Sequence, residues 1–297
     1  MYPEPLIILF SIFAGMFGAV VGSFLNVCIH RLPTNYLSVV SPGSHCPKCG
    51  KFLKWYDNIP VISWILLGGS CRSCRNSISF RYVLVELLTA ILFIIYTKYI
   101  LLTPFTVFLE LAKFERFFIL AISLYLVANM IIITFIDIAY RIIPDSITYT
   151  GIILAPFVSL ICPVLHSKMP EVLNPHLSGF MSSILGIIVG GGSLYLVGII
   201  GKIIFKKDAM GFGDVKMMAM VGGFIGWDSA LMIFLLACII GTIAGIFVFI
   251  ITKDNYLPFG PYLAVSTLII ILFKEKVLYI GLTEWPRFVS RLVGLSY

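Results

Sequence analysis

Charge is scarce in this chain. Only 12% of its 297 residues are Asp, Glu, Lys or Arg, against about 25% in an ordinary soluble domain. Apolar residues make up 60%, and the mean hydropathy is +1.04. A soluble protein of this size would have to leave much of that surface in water, and a disordered chain needs the opposite composition. Histidine is scarce too. The four present, His30, His45, His166 and His176, are scattered, and none falls in an H-E-x-x-H pattern. There is no G-x-S-x-G nucleophile elbow. No G-x-G-x-x-G follows a strand, and no soluble segment is large enough for a dinucleotide-binding unit. Acids are fewer than bases, 14 against 21, for a net charge of +7. Cytoplasmic loops of membrane proteins carry such an excess, so it needs no nucleic-acid partner.

What is abundant is long apolar runs. Crossing ~30 Å of hydrocarbon takes about 20 residues. The runs predict an all-α polytopic membrane protein, a bundle of about eight helices, with spans near Leu6–Ile29, Tyr82–Leu101, Phe117–Ile136, Ser146–Leu165, Leu177–Ile204, Met217–Trp227, Ala230–Ile251 and Phe259–Phe273. The sixth is short enough to be a full span or a re-entrant piece. The first is not a secretory signal, because Glu4 stands where a basic region belongs and the run is too long. The division predicted is a first transmembrane segment (1–29), a loop (30–81) and a transmembrane domain (82–297). That loop holds Arg31, Lys48, Lys51, Lys54, Arg72, Arg75 and Arg81. Segment 202–216 holds Lys202, Lys206, Lys207 and Lys216. Eight spans put both segments on one face, which the basic excess makes cytoplasmic. Lys274, Lys276, Arg287 and Arg291 then lie outside as a counterweight.

Seven cysteines are unevenly placed. Cys28, Cys162 and Cys238 lie singly in apolar runs and read as small buried hydrophobes. The other four form Cys46-Pro-Lys-Cys49-Gly50 and Cys71-Arg-Ser-Cys74 with 21 residues between the pairs. That spacing reads as a four-thiolate zinc site. Two disulfides are the alternative, and a reducing cytosol disfavours them. Zinc would also supply folding energy to a loop too small for a large core. Gly50 suits the tight turn after the first pair. Arg75 takes the equivalent place after the second, where it fits less well.

Ionisable groups beside apolar spans are costly, so each raises a functional question. Asp137 ends the third span and Asp214 precedes the sixth, both on the predicted cytoplasmic face. Asp145 follows Pro144 and opens an apolar run, the pattern of a helix cap. Asp214 also suits a cap for a helix starting near Val215. However, Gly211-Phe-Gly213 directly before it would let another backbone approach. Glu86 lies one turn into the second span, where snorkelling or pairing with a basic loop residue explains it. Two close carboxyls cannot both ionise, so they share one proton. The ionised one can activate water against a peptide carbonyl while the protonated one polarises it, without metal or covalent intermediate.

With these residues on the page, the chain resembles the type IV prepilin peptidases, bifunctional leader peptidase/N-methyltransferases of bacterial pilus and type II secretion systems. The resemblance runs through Gly22-Ser-Phe-Leu-Asn26-Val, Arg31-Leu-Pro33, both cysteine pairs, Trp55-Tyr-Asp57-Asn58-Ile-Pro60, Ile78-Ser-Phe-Arg81, Glu86-Leu-Leu-Thr89, Asp137, Ile143-Pro144-Asp145 and Gly211-Phe-Gly213-Asp214-Val-Lys216. The last motif alone is shared with presenilin-like proteases. The resemblance implies Asp137 and Asp214 as the catalytic pair, with Gly211, Gly213 and Lys216 in support. It implies structural zinc on Cys46, Cys49, Cys71 and Cys74. It implies cleavage of a basic leader from prepilins or pseudopilins, then methylation of the new N-terminal residue from S-adenosylmethionine. The setting implied is the bacterial cytoplasmic membrane, with lipid as a partner and the active site facing the cytoplasm. Phe212 replaces a glycine that many members have, adding bulk beside Asp214. The rival readings are a general presenilin-type protease, an ion-coupled transporter using both aspartates as a relay, and a zinc-dependent scaffold. The amino-proximal cysteine loop argues against the first, and the lack of internal repeats against the second.

Overall fold

The structure is a computed structural model that describes residues 4–34, 38–41, 43–102, 113–166, 174–206, 210–252 and 257–279. Lys207, Arg287 and Arg291, read above from the sequence, lie outside the described residues. The described helices run α1 (Glu4–Arg31), α2 (Ile62–Leu66), α3 (Arg81–Leu102), α4 (Lys113–Tyr140), α5 (Asp145–Ile161), α6 (Pro175–Phe205), α7 (Phe212–Ile225), α8 (Trp227–Thr252) and α9 (Gly260–Tyr279). The protein is an all-α, multi-pass membrane protein. Among the described residues five helices are long and apolar enough to cross a bilayer: α1, α3, α4, α6 and α8. Asp145–Ile161 and Gly260–Lys274 are shorter apolar helices. At 14 residues, α7 reaches about 21 Å at ~1.5 Å per residue.

All eight expected segments fall on helices, but two end differently. The fourth was expected to reach Leu165. Its helix stops at Ile161, and a 3₁₀ turn runs Pro163–Leu165. Pro163 has no N–H to continue the ladder and disfavours helix in the residue before it. The sixth was expected over Met217–Trp227. Its helix instead starts at Phe212 and stops at Ile225, and Trp227 opens α8. Gly226 makes the break with φ +91°. A Cβ there would lie 3.1 Å from Asp228 Oδ1 and 3.3 Å from His166 Nδ1.

The chain forms two compact units, Met1–Thr148 and Tyr149–Tyr297. In the first, α1 packs along α3, and both touch α4. Two-thirds of the apolar stretch of α4 (67%) is buried, against 17% for α1, so α4 is the inner helix. Gly18 and Gly22 form a small-xxx-small face on α1 that lets two backbones close together. A Cβ on Gly22 would come within 2.7 Å of Glu86 Cα, and one on Gly18 within 2.9 Å of Ala90 Cα.

In the second unit α6 packs on α7 in the same way. Gly186 and Gly190 face α7 backbone directly, and Gly222 answers Gly186 from the other side. Ser183 Oγ, one turn away, donates to the Gly223 carbonyl at 2.7 Å. The outer face of α8 carries Leu235, Ile239, Ile246, Phe249 and Ile250, all exposed. A bilayer would cover these side chains.

Valine at Gly186 forces α6 off α7. It should lower the detergent melting temperature by several degrees or abolish folded protein, since overpacking costs about 1–3 kcal/mol or more. Valine at Gly192, where a Cβ meets nothing within 4 Å, is the control. A thermal melt of the two variants checks the prediction, and equal loss would refute the packing.

Candidate active site and metal centre

The two cysteine pairs fold into matching turns. In the first, Cys46 N–H donates to the Lys51 carbonyl and Gly50 N–H to the Cys46 carbonyl, both at 2.9 Å. In the second, Cys71 N–H donates to the Asn76 carbonyl and Arg75 N–H to the Cys71 carbonyl, again both at 2.9 Å. Each turn is closed by one antiparallel bridge, His45 with Phe52 and Ser70 with Ser77. The same position of each turn needs a left-handed residue. Gly50 supplies φ +70° at no steric cost, and Arg75 is held at φ +59°.

These turns bring the four Sγ atoms within 4.8 Å of one another, and none is in a disulfide. A tetrahedral zinc with bonds of about 2.3 Å would set sulfurs about 3.8 Å apart. Cys46 and Cys74 stand at 3.9 Å. Asn76 Nδ2 lies 3.6 Å from Cys74 Sγ, an outer-shell donor to that ligand. Backbone N–H groups of Cys74 and Ser73 hold the Cys71 thiol down to about 6. The Lys51 N–H lowers Cys49, but desolvation and the neighbouring Cys46 and Cys74 thiols outweigh it and push that thiol up to about 11. Without a cation the four sulfurs cannot all ionise, and a dication removes that conflict. The donor set fits zinc.

Around the turns, Arg72 donates to Asp57 Oδ1 through Nε (2.9 Å) and a terminal nitrogen (2.7 Å). Buried Arg31, in the last turn of α1, donates to the Ser38 and Val39 carbonyls at 3.0 and 3.2 Å. Two of the basic loop residues, Arg31 and Arg72, therefore stitch the loop, a use beyond the orientation expected of them from the sequence. Glu86, weighed above as a snorkelling acid, instead accepts the Val61 N–H at 2.7 Å. Val61 holds φ +61°, a strained conformation for a β-branched residue.

Each aspartate expected to carry chemistry is buried at a helix end. Asp137 is 7% exposed in the last turn of α4, which stops where Arg141 takes φ +59°. Asp214 is 8% exposed in the first turn of α7. It is not a cap, as one reading allowed. The helix starts earlier, with Gly211 at the N-cap, and Asp214 N–H donates to the Gly211 carbonyl at 3.1 Å. Gly213 is the second helical residue. A Cβ on Gly211 would sit 3.3 Å from Asp214 Oδ2, so that glycine keeps space beside the carboxylate. Lys216 Nζ lies over the rings of Tyr149 (5.2 Å) and Phe212 (5.3 Å). Phe212 is exposed and spends its bulk on Lys216. Asp145 is exposed and is the first residue of α5, one place past the cap expected of it, since the Thr148 N–H donates to the Pro144 carbonyl.

A multi-pass helical membrane protein with a tetrathiolate loop and buried acids at helix ends is the class these features define. The chain belongs to the type IV leader peptidase family: that family's model matches residues 124–246, and the bacterial peptidase A24 N-terminal domain matches 16–100. The prepilin leader peptidase/N-methyltransferase of Myxococcus xanthus is 35% identical over 82% of this chain, which spans 64% of that protein. Those of Aeromonas salmonicida and Neisseria gonorrhoeae are 30% and 31% identical over 91% and 89% of this chain, covering 91% of each relative. No solved structure matches.

Replacing Arg75 with glycine removes a left-handed backbone cost of about 1 kcal/mol and should slow zinc loss to a chelator several-fold. Arginine at Gly50 should speed it comparably, since a Cβ there meets nothing within 4 Å. Serine at Cys46 or Cys71 should abolish stoichiometric zinc. Metal analysis and a chelator time course on purified protein check all three.

Proposed function

We propose that this protein cleaves the basic leader from type IV prepilins or pseudopilins at the cytoplasmic face of a bacterial inner membrane, then methylates the new N-terminal residue. The observation that carries the peptidase half is a pair of buried carboxylates, Asp137 and Asp214, each at a helix end next to Gly- or Pro-interrupted chain. The names borne by the relatives support both halves. In this reading 30–81 is the zinc-stapled module and 82–297 the peptidase domain.

Opposite helix ends suggest the division of labour. Asp214 lies in a first turn, where the helix field favours negative charge, and Asp137 in a last turn, where it does not. Asp214 is then the carboxylate that takes a proton from the attacking water. Asp137 carries the shared proton, polarises the scissile carbonyl and later protonates the leaving amine. Gly211 and Gly213 leave room for an extended substrate segment, and Lys216, held by two rings, is a supporting cation. Zinc, bound by the four cysteines, holds the loop and takes no part in hydrolysis. S-adenosylmethionine supplies the methyl group.

Asparagine at Asp137 or Asp214 keeps the shape but cannot ionise. Each should abolish cleavage of a prepilin with a Gly-Phe junction in liposomes. The double variant should be little worse than either single one, because a dyad acts as a unit. Asp145→Asn should be mild, as Asp145 is exposed at the first position of α5 and the change loses only a surface charge in the first helical turn. Full cleavage by Asp214→Asn would end the peptidase reading.

A further inference from the structure

The loop between α1 and α3 carries one short helix whose outer face is apolar. α2 (Ile62–Leu66) turns Ile62, Ile65 and Leu66 to one side, at i, i+3 and i+4. They are 56%, 64% and 80% exposed. In a loop surrounded by water that face has no cover. Trp55, also exposed, lies in the 3₁₀ turn Trp55–Asn58 that packs against α2 and adds to the uncovered surface.

The rest of α2 is tied down, and the ties fix its depth. Trp64 Nε1 donates to the Ile78 carbonyl at 3.1 Å, and the Trp64 ring meets that of Phe80 edge-on with centroids 5.9 Å apart. The N–H of Val61, the N-cap of α2, donates to Glu86 Oε2 at 2.7 Å. Glu86 lies one turn and a half past Arg81, where α3 and its membrane-spanning stretch Arg81–Leu101 begin. At ~1.5 Å per residue that offset is about 7–8 Å. The 21 residues of the stretch reach about 32 Å, little more than the ~30 Å hydrocarbon core, so its first turns lie at the boundary with the headgroups. The start of α2 lies at the same level. Interfacial helices bury their apolar face at this depth.

The surface beside α2 also faces lipid. Leu84, Leu87, Ile91 and Ile95 are exposed and follow one another at helical spacing along α3. Phe80, exposed as well, extends that stripe toward the loop, since the Leu84 N–H donates to its carbonyl at 3.0 Å. Trp64 of α2 rests on this same Phe80, so α2 borders a surface that a bilayer has to cover. Charge agrees. Segment 31–81 holds seven basic residues against one acid, Asp57, and the cytoplasmic leaflet is anionic.

We infer that α2 is an interfacial membrane anchor. Ile62, Ile65 and Leu66 bed into the cytoplasmic leaflet near the glycerol and first acyl carbons, and the basic loop around them meets anionic headgroups. α2 then holds the cysteine turns against the bilayer surface. The inference rests on the cytoplasmic placement of the loop and is independent of the catalytic chemistry.

The test is photolabelling of the full-length, zinc-loaded wild-type protein in phosphatidylethanolamine–phosphatidylglycerol vesicles. The probe is a phospholipid with a diazirine near the glycerol end of its acyl chain. Mass spectrometry should find label on Ile62, Ile65 or Leu66 as well as on the first turns of α3, with the cysteine turns 46–51 and 71–76 unlabelled. Omitting phosphatidylglycerol or raising the salt should lower the label on α2 several-fold and leave that on α3 unchanged. Aspartate at both Ile65 and Leu66 should remove the label from α2, with zinc content and α3 labelling as in wild type. Label confined to the spanning helices overturns the anchor. So does label on α2 that is indifferent to lipid charge and salt, or that is displaced by added prepilin or by a higher density of protein in the vesicle, since the occupant of that face is then a polypeptide. Labelling of α2 in a protein that cleaves no prepilin leaves the anchor standing, and cleavage with α2 unlabelled removes the anchor alone.

Discussion

Hydrocarbon offers a backbone no hydrogen-bond partner except itself, and the arrangement of this protein follows from that. Each span has to be helical throughout, so irregular backbone collects at the ends of helices. Polar chemistry collects there with it. Asp137 sits in the last turn of α4 and Asp214 in the first turn of α7. The break between α7 and α8 falls on Gly226, beside Asp228 and His166. Asp228 Oδ2 there meets Lys274 Nζ at 3.0 Å, so even this charge is paired.

The same solvent changes what holds helices together. Lipid tails are as apolar as leucine, so burying leucine between helices gains little, and close backbone approach has to supply the contact. Glycine serves that need twice. Gly18 and Gly22 bring α1 onto α3, and Gly186 with Gly222 bring α6 onto α7. The first of these contacts lies next to Glu86 and Asn26, so the packing that joins the two helices also sets one wall of a cavity of about 440 Å³ beside the cysteine turns.

Outside the bilayer the problem reverses. The loop between α1 and α3 has too little apolar material for a core of its own, and it is organised by its backbone turns. Two five-residue cysteine turns of one design meet at four sulfurs. Side chains then fasten the rest, Arg72 to Asp57, Arg31 to three carbonyls, Trp64 Nε1 to the Ile78 carbonyl at 3.1 Å. A charge surplus read from the sequence as an orientation signal therefore has a structural use as well.

Composition and spacing alone determined the membrane class, the helical segments, the tetrathiolate set and the two suspect aspartates. Those properties are carried by residue type at fixed intervals, which needs no knowledge of neighbours. They also pointed to Arg75 as the weaker of two equivalent turn residues, because backbone conformation at one position depends on that residue itself. The tertiary structure decided what depends on partners distant in the chain. Gly226, rather than Trp227, ends the seventh helix because of the φ that its surroundings require. Asp214 became a third helical residue because the turn begins at Gly211. Glu86 changed from a surface-seeking acid to a buried acceptor for Val61, 25 residues away. No periodicity reports such a pairing, since it exists only once α1, α3 and the loop are packed together.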